Sequence, residues 1–151
     1  MILPAQTIRQ IRPVEPFVER SVAHGMSYGL SHAGYDVRIA ERFSLRPGQF
    51  ALASTVERFQ MPSDLVGFVH DKSSWARRGL SLFNTVIEPG WEGFLTLELV
   101  NHSSHRVISF EPGMPIAQII FMKTIEPVEN PYSGKYQRQE AGPQEAREET
   151  A

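Results

Sequence analysis

Proline followed by glycine recurs inside three four-residue turn signals, Arg46-Pro47-Gly48-Gln49, Glu88-Pro89-Gly90-Trp91 and Glu111-Pro112-Gly113-Met114. Proline sets the φ that the second residue of a tight turn requires, and glycine tolerates the positive φ of the third. Met61-Pro62-Ser63-Asp64 adds a fourth break. From about residue 34 the apolar stretches between these breaks are too short for ordinary helices, so the chain must reverse direction often. Several short strands at this spacing predict an all-β sandwich or barrel. The clearest is Phe94-Leu95-Thr96-Leu97-Glu98-Leu99-Val100. Alternation places Leu95, Leu97 and Leu99 on one face and Phe94, Thr96, Glu98 and Val100 on the other. Val66 to His70, Arg106 to Phe110 and Ile116 to Phe121 read as further strands. There is no internal repeat.

Before this region, residues 4–12 are expected to form a short helix, with Pro4 at an early helical position and Ile8 and Ile11 on one side. Pro13 and Pro16 end it. After Pro131 the chain is poor in large apolar residues and rich in Gln, Glu and Arg, which predicts a mobile tail over 131–151 unless something binds it. Residues 1–130 then form one domain, the size a chain of 151 residues allows.

Charge and composition narrow the functions. A formal net charge of −2 argues against general nucleic-acid binding but leaves room for a local basic site for a small anion. No apolar run approaches the ~20 residues of a membrane span, and the N-terminus does not read as a signal peptide. The chain has no cysteine, which excludes disulfides, thiolate zinc sites and cysteine nucleophiles and is compatible with the expected cytoplasmic location. The zinc deaminase signature, His-x-Glu followed by Pro-Cys-x-x-Cys, is absent.

Four stretches could carry chemistry. Asp71-Lys72-Ser73-Ser74-Trp75-Ala76-Arg77-Arg78-Gly79 interrupts the β pattern, begins with capping residues and closes on glycine, so it reads as a short helix. Its N–H groups, hydroxyls and guanidinium forks suit a phosphate, with Ser73 and Arg77 on one side. An ordinary capped surface helix fits the spacing equally well. Glu98 lies mid-strand, where carboxylates are depleted and costly to bury. Half-buried, it would have a raised pKa and could act as a general acid or base. An exposed face or a cross-strand arginine would explain it too. Glu88 precedes a turn at a strand end, where it either points into a cleft or satisfies turn amides. Pro131-Tyr132-Ser133-Gly134-Lys135-Tyr136-Gln137-Arg138-Gln139 interleaves aromatic, cationic and amide groups, as a lid or simply a polar tail would.

In this order the stretches resemble one family. Asp71 to Leu80 is similar to the Ser-Ser-x-x-Arg-x-Gly-Leu motif of dCTP deaminases. Glu88-Pro89-Gly90-Trp91-Glu92-Gly93 resembles their Asp-Pro-Gly-Trp/Phe-x-Gly turn, followed by Leu97-Glu98-Leu99. Pro112 to Gln118 resembles Pro-Gly-Met-x-Ile-x-Gln, and Pro131-Tyr132 with Lys135 to Gln139 resembles the tail motif. Gly34-Tyr35-Asp36-Val37 is also similar to the first motif of the sister dUTPases.

The resemblance implies a distorted jelly roll, the dUTPase-like β-clip, with a short N-terminal helix and a short helix at the phosphate site. It implies a homotrimer with active sites between subunits. Lys72, Ser73, Ser74 and Arg77 would hold the triphosphate of dCTP, with Ser73 also near the chemistry. Glu98 would be the catalytic acid and base, and Thr96 a nucleotide contact beside it. Glu88 would sit near the deoxyribose, while Tyr132, Lys135 and Gln139 close over the nucleotide. Mg²⁺ would accompany the triphosphate, with no catalytic metal, and dTTP is a candidate feedback ligand. Neither nucleic acid nor membrane is an expected partner.

Two features depart from the pattern. Glu88 stands where the family usually has aspartate. The segment from Arg77 to Ile87 is short, with Phe83-Asn84-Thr85-Val86 in place of Thr-Ala-x-x. The alternatives are a dUTPase-like pyrophosphatase on dUTP or dCTP, a bifunctional deaminase and pyrophosphatase, or a catalytically silent nucleotide-binding module. The Leu-Glu-Leu strand and the Lys-Tyr-Gln-x-Gln tail favour deamination.

Overall fold

The computed structural model describes residues 1–150. Helix α1 (Ala5–Ile11) leads to strands β1 (Val14–Glu15), β2 (Ser21–Ala23), β3 (Met26–Leu30), β4 (Tyr35–Arg38), β5 (Phe43–Leu45), β6 (Phe50–Gln60) and β7 (Leu65–Asp71). Helix α2 (Ser73–Ala76) is followed by β8 (Leu80–Leu82), β9 (Val86–Ile87), β10 (Glu92–Asn101), β11 (Ile108–Phe110) and β12 (Pro115–Lys123). Among the described residues no helix is long and apolar enough to cross a membrane.

The strands form a six-stranded sheet ordered β2-β3-β4-β12-β7-β9, a four-stranded sheet ordered β1-β6-β10-β8 and a β11-β5 pair. The expected all-β architecture is therefore present. The three Pro-Gly signals make the expected turns: Gln49, Trp91 and Met114 donate N–H to the carbonyls of Arg46, Glu88 and Glu111, each at 3.1 Å. The glycines have φ of 78°, 85° and 83°. The fourth turn sits one residue later than expected, closing from Leu65 N–H to the Pro62 carbonyl.

Both sheets contribute to one core, in which Tyr35, Phe59, Leu97, Leu99, Phe110 and Phe121 are fully buried. Ile8 of α1 joins it, with Ile11 partly buried alongside. Pro4 lies just outside α1, at its N-cap, rather than within the first turn. Its carbonyl accepts from Thr7 and Ile8. The strand expected from Arg106 begins only at Ile108, because Asn101 uses its side-chain amide to hold the Arg106 carbonyl in the preceding loop at 2.7 Å.

The long β6–β10 ladder carries one irregularity. Phe94 faces Arg58 but Thr96 faces Ser54, so two residues of β10 span four of β6. Thr55 replaces the missing ladder contacts, accepting from Leu95 N–H at 3.1 Å and donating to the Glu57 carbonyl at 2.7 Å. The bulge turns Glu57 into the interior, where its carboxylate takes the Arg38 backbone N–H at 2.9 Å and the Arg38 Nε at 2.7 Å. Burial raises the Glu57 pKa and the bonds to Arg38 oppose that rise. Removing Arg38 would strand a buried charge, so Arg38→Ala should cost about 3–5 kcal/mol in urea unfolding, whereas the double change Arg38→Met with Glu57→Leu should recover most of that loss.

Candidate active site

Strand β10 presents two different faces. Leu97 and Leu99 are fully buried in the core, while Thr96 and Glu98 are only partly buried on the opposite side. Glu98 lies opposite Leu52, with Thr96 opposite Ser54 and Val100 opposite Phe50. On the other flank Phe83 donates its N–H to the Glu98 carbonyl at 3.1 Å. The Glu98 side chain opens into a cleft of about 520 Å³ shared with Glu88, Thr96, Tyr132 and Gln139. That volume suits a small ligand. Burial pushes the Glu98 pKa up, with only its own backbone N–H opposing. No other side chain among the described residues is hydrogen-bonded to this carboxylate. It is a partly desolvated proton acceptor facing a cavity.

The tail packs against this cleft. Trp91 Nε1 donates to the Tyr136 carbonyl at 2.6 Å, and Gln137 Nε2 donates to the carbonyls of Gly90 and Tyr132 at 2.9 and 2.7 Å. Gln139 pairs with Gly93 in a parallel bridge. Its amide donates to the Phe94 carbonyl at 2.8 Å and to Thr96 Oγ1 at 2.7 Å. The approach depends on Gly93, where a Cβ would lie 2.6 Å from Gln139 N at φ +144°. Residues 132–139 of the tail lie along the β9–β10 turn. Lys135 points away from the cleft contacts, with Nζ 3.3 Å from Glu149 and 5.4 Å from the Tyr136 ring centroid.

The basic stretch lies elsewhere. Lys72 and Ser73 line a second cleft of about 500 Å³ with Asp36, Ser27, Arg20 and Gln118. Lys72 Nζ donates to Asp36 Oδ2 at 2.7 Å and to Ser27 Oγ at 3.3 Å. Burial raises the Asp36 pKa and Lys72 opposes it, and Asp36 Oδ1 is buried without a partner. The expectation that Asp71 caps the following helix does not hold. Lys72 occupies the N-cap position with no side-chain cap bond. Asp71 still belongs to β7, and its carboxylate accepts from Leu82 N–H at 2.8 Å. Helix α2 is anchored by Trp75, whose Nε1 donates to the Pro115 carbonyl at 2.6 Å. Ser74 is partly buried and Arg77 exposed, and neither lines either cleft.

The expected site residues thus fall into two groups. Glu98, Thr96, Glu88, Tyr132 and Gln139 come together; Lys72 and Ser73 are in a separate place, with Ser74, Arg77 and Lys135 outside both clefts. The sequence reading missed Phe50, Leu52 and Gln144 in the first cleft. Strand β6 carried the signal in its alternation of Phe50, Ala51, Leu52 and Ala53. Gln144 carried none, since it arrives through a tail whose path is set by backbone contacts.

A model of dCTP deaminase-like proteins matches residues 35–124. The chain belongs to the dCTP deaminase-like family. The dCTP deaminase of Pyrococcus horikoshii is 34% identical over 91% of this chain and 92% of that protein. A "dCTP deaminase, dUMP-forming" of Persephonella marina is 46% identical over 66% of this chain and 55% of its own length. Among solved structures the fold resembles that of EIAV dUTPase, with a TM-score of 0.59 and 20% identity, covering 81% of this chain and 96% of that one. The dUTPase from phage phi11 of S. aureus gives a TM-score of 0.58 at 19% identity, covering 78% and 90%. These solved structures show the dUTPase-like fold expected from the motifs.

The raised Glu98 pKa has a measurable consequence for stability. Its folded value lies above its unfolded one, so its contribution is fully present below the ordinary carboxylate range and is lost as pH rises through the folded value. Glu98→Gln mimics the protonated form. It should melt above the unmodified protein at neutral pH, with the difference closing as pH falls into the ordinary carboxylate range, as followed by calorimetry.

Proposed function

We propose that this chain hydrolyses dCTP to dUTP and ammonia, with Glu98 as the general acid and base. The observation that carries the reading is the unpaired, half-buried Glu98 carboxylate in a ligand-sized cleft. The chain's family membership supports it. Glu98 takes a proton from water, the oxygen bonds to C4 of cytosine, and the proton is passed on towards N3. The C4–N4 bond then breaks, with protons delivered to the departing ammonia. Burial suits this exchange, because it brings the carboxyl pKa closer to neutral pH than an exposed glutamate's. Glu88 would address the deoxyribose, and Thr96, Tyr132 and Gln139 would hold the nucleotide from the tail side. Mg²⁺ enters as part of the substrate, on the triphosphate.

The phosphate-binding half of the site is supplied by another copy of the chain. Support comes from the separation of Ser74 and Arg77 from the Glu98 cleft within one chain, and from the exposure of Arg77. A symmetric trimer brings such complementary halves together at each interface. A second reading, in which the enzyme also releases pyrophosphate to give dUMP, is favoured by the 46% identity to the dUMP-forming relative. Resolving ammonia and pyrophosphate from one dCTP reaction by ion chromatography distinguishes the two.

Glu98→Gln should bind dCTP with near-native affinity while ammonia release falls by about 10²–10⁴-fold. Retention of more than half the rate would remove Glu98 from the mechanism. Arg77→Ala should weaken dCTP binding roughly ten- to a hundredfold by calorimetry. Co-refolding the two variants in equal amounts should restore about a quarter of the native rate, because random assembly joins an intact Glu98 to an intact Arg77 at one interface in four. No recovery would place both residues in one subunit's site.

A further inference from the structure

The cleft around Glu98 is polarised along β10. Towards Thr96 it is polar: Thr96 Oγ1 accepts from the Gln139 amide at 2.7 Å and from Gln144 N–H at 3.1 Å. Towards Val100 it is apolar. Leu52 faces Glu98 and Phe50 faces Val100, and Val86 lines the same cleft. The Phe50 and Phe83 rings meet with centroids 6.2 Å apart. These groups are not buried as core residues are: Phe50 is 56%, Phe83 53% and Val86 48% exposed. Exposed aromatic and branched side chains gathered at the mouth of a cleft mark a contact surface rather than a packing need. Phe83 and Val86 both belong to the segment that departs from the family pattern.

A cytosine ring is polarised in the same sense. O2 and N3 lie on one side of C4, and the C5–C6 edge, which has no hydrogen-bonding group, lies on the other. With Glu98 at C4, the Thr96 hydroxyl, which accepts from Gln139 and Gln144 and keeps its own hydrogen to donate, directs the N3 and O2 side of the ring towards Thr96. C5 then points to Leu52, Phe50 and Val86. We propose that this chain also deaminates dCTP carrying an apolar substituent at C5, 5-methyl-dCTP being the simplest, with Phe50, Leu52 and Val86 as the specificity-determining residues. The proposal rests on the deaminase reading above. The chemistry balances without a further reactant: water oxygen bonds to C4, the C4–N4 bond breaks, ammonia leaves, and the product is dTTP. A methyl placed against these side chains leaves water for an apolar contact, whereas a hydroxymethyl keeps a hydroxyl that gains nothing from the side chains of Phe50, Leu52 and Val86.

The test is initial-rate ammonia release from dCTP, 5-methyl-dCTP and 5-hydroxymethyl-dCTP with Mg²⁺, using the full chain. The expected kcat/KM for 5-methyl-dCTP is at least that of dCTP and up to about fourfold higher, the gain from burying one methyl. 5-Hydroxymethyl-dCTP should fall below both. Phe50→Ser should lower the ratio of 5-methyl-dCTP to dCTP turnover, whatever it does to each rate. Turnover of dCTP with no turnover of 5-methyl-dCTP would overturn the specificity proposal and leave the deaminase reading standing, as would a ratio unmoved by Phe50→Ser. Ammonia from none of the three would overturn both.

Discussion

The antiparallel pairing of β10 with β6 is the interaction on which core and cleft both depend. It gives Leu97 and Leu99 to the interior and, through the alternation of a strand, gives Thr96 and Glu98 to the cleft. A slip of one residue would exchange these sets, burying the carboxylate in the core and exposing the leucines. The fixed bulge opposite Leu95 makes such a slip costly, because Thr55 and Glu57 fit only that register: the Thr55 hydroxyl satisfies Leu95, and the Glu57 carboxylate reaches Arg38. The buried ion pair therefore supports the site from the far side of the sheet, without touching it.

Three acidic side chains of this chain have pKa values raised by burial, and their surroundings separate their roles. Glu57 is held by Arg38 and Asp36 by Lys72, so their charges are compensated. Glu98 has no such partner. A protein gains nothing in stability from a half-buried carboxylate among leucine and aromatic side chains, and with no cation beside it nothing offsets the upward push of burial on its pKa. Stability and chemistry ask for opposite environments here. Position in the cleft, rather than the raised pKa itself, supports the proposed role of Glu98.

Much of this was readable in the sequence, for physical reasons that can be named. The Pro-Gly turns constrain φ at two successive positions, so they specify reversals almost independently of context. Leu95 to Leu99 shows its two faces because period-two alternation survives any tertiary arrangement. Motif order carried the family. Less was readable where tertiary contacts decide. Asp71 looked like a cap, yet β7 extends through it, paired with Ala117 of β12, and its carboxylate is taken by Leu82 N–H. The tail looked free because its composition is polar, but its attachment uses backbone carbonyls and the missing side chains of Gly90 and Gly93. Contacts of that kind leave no trace in hydropathy.

If the site is assembled from two copies, as proposed above, the tail's anchoring bears on how each half remains ordered before assembly. Gln139 is 7% exposed and bridges Gly93, so this wall of the cleft is built within one chain. Lys72 is likewise held by Asp36 in its own cleft, and α2 is pinned by Trp75 to the start of β12. Each half is rigidified by contacts inside its own subunit. Association of two such halves needs to order few side chains, which lowers the entropy cost of forming the composite site. The segment Phe83 to Val86 joins β8 to β9, with Phe83 N–H on the Glu98 carbonyl and Val86 paired with Phe68; Val86 lines the cleft and the exposed Phe83 meets Phe50 beside it. Sequence change there alters what the cleft accepts while leaving the β6–β10 ladder, the bulge and Glu98 in place.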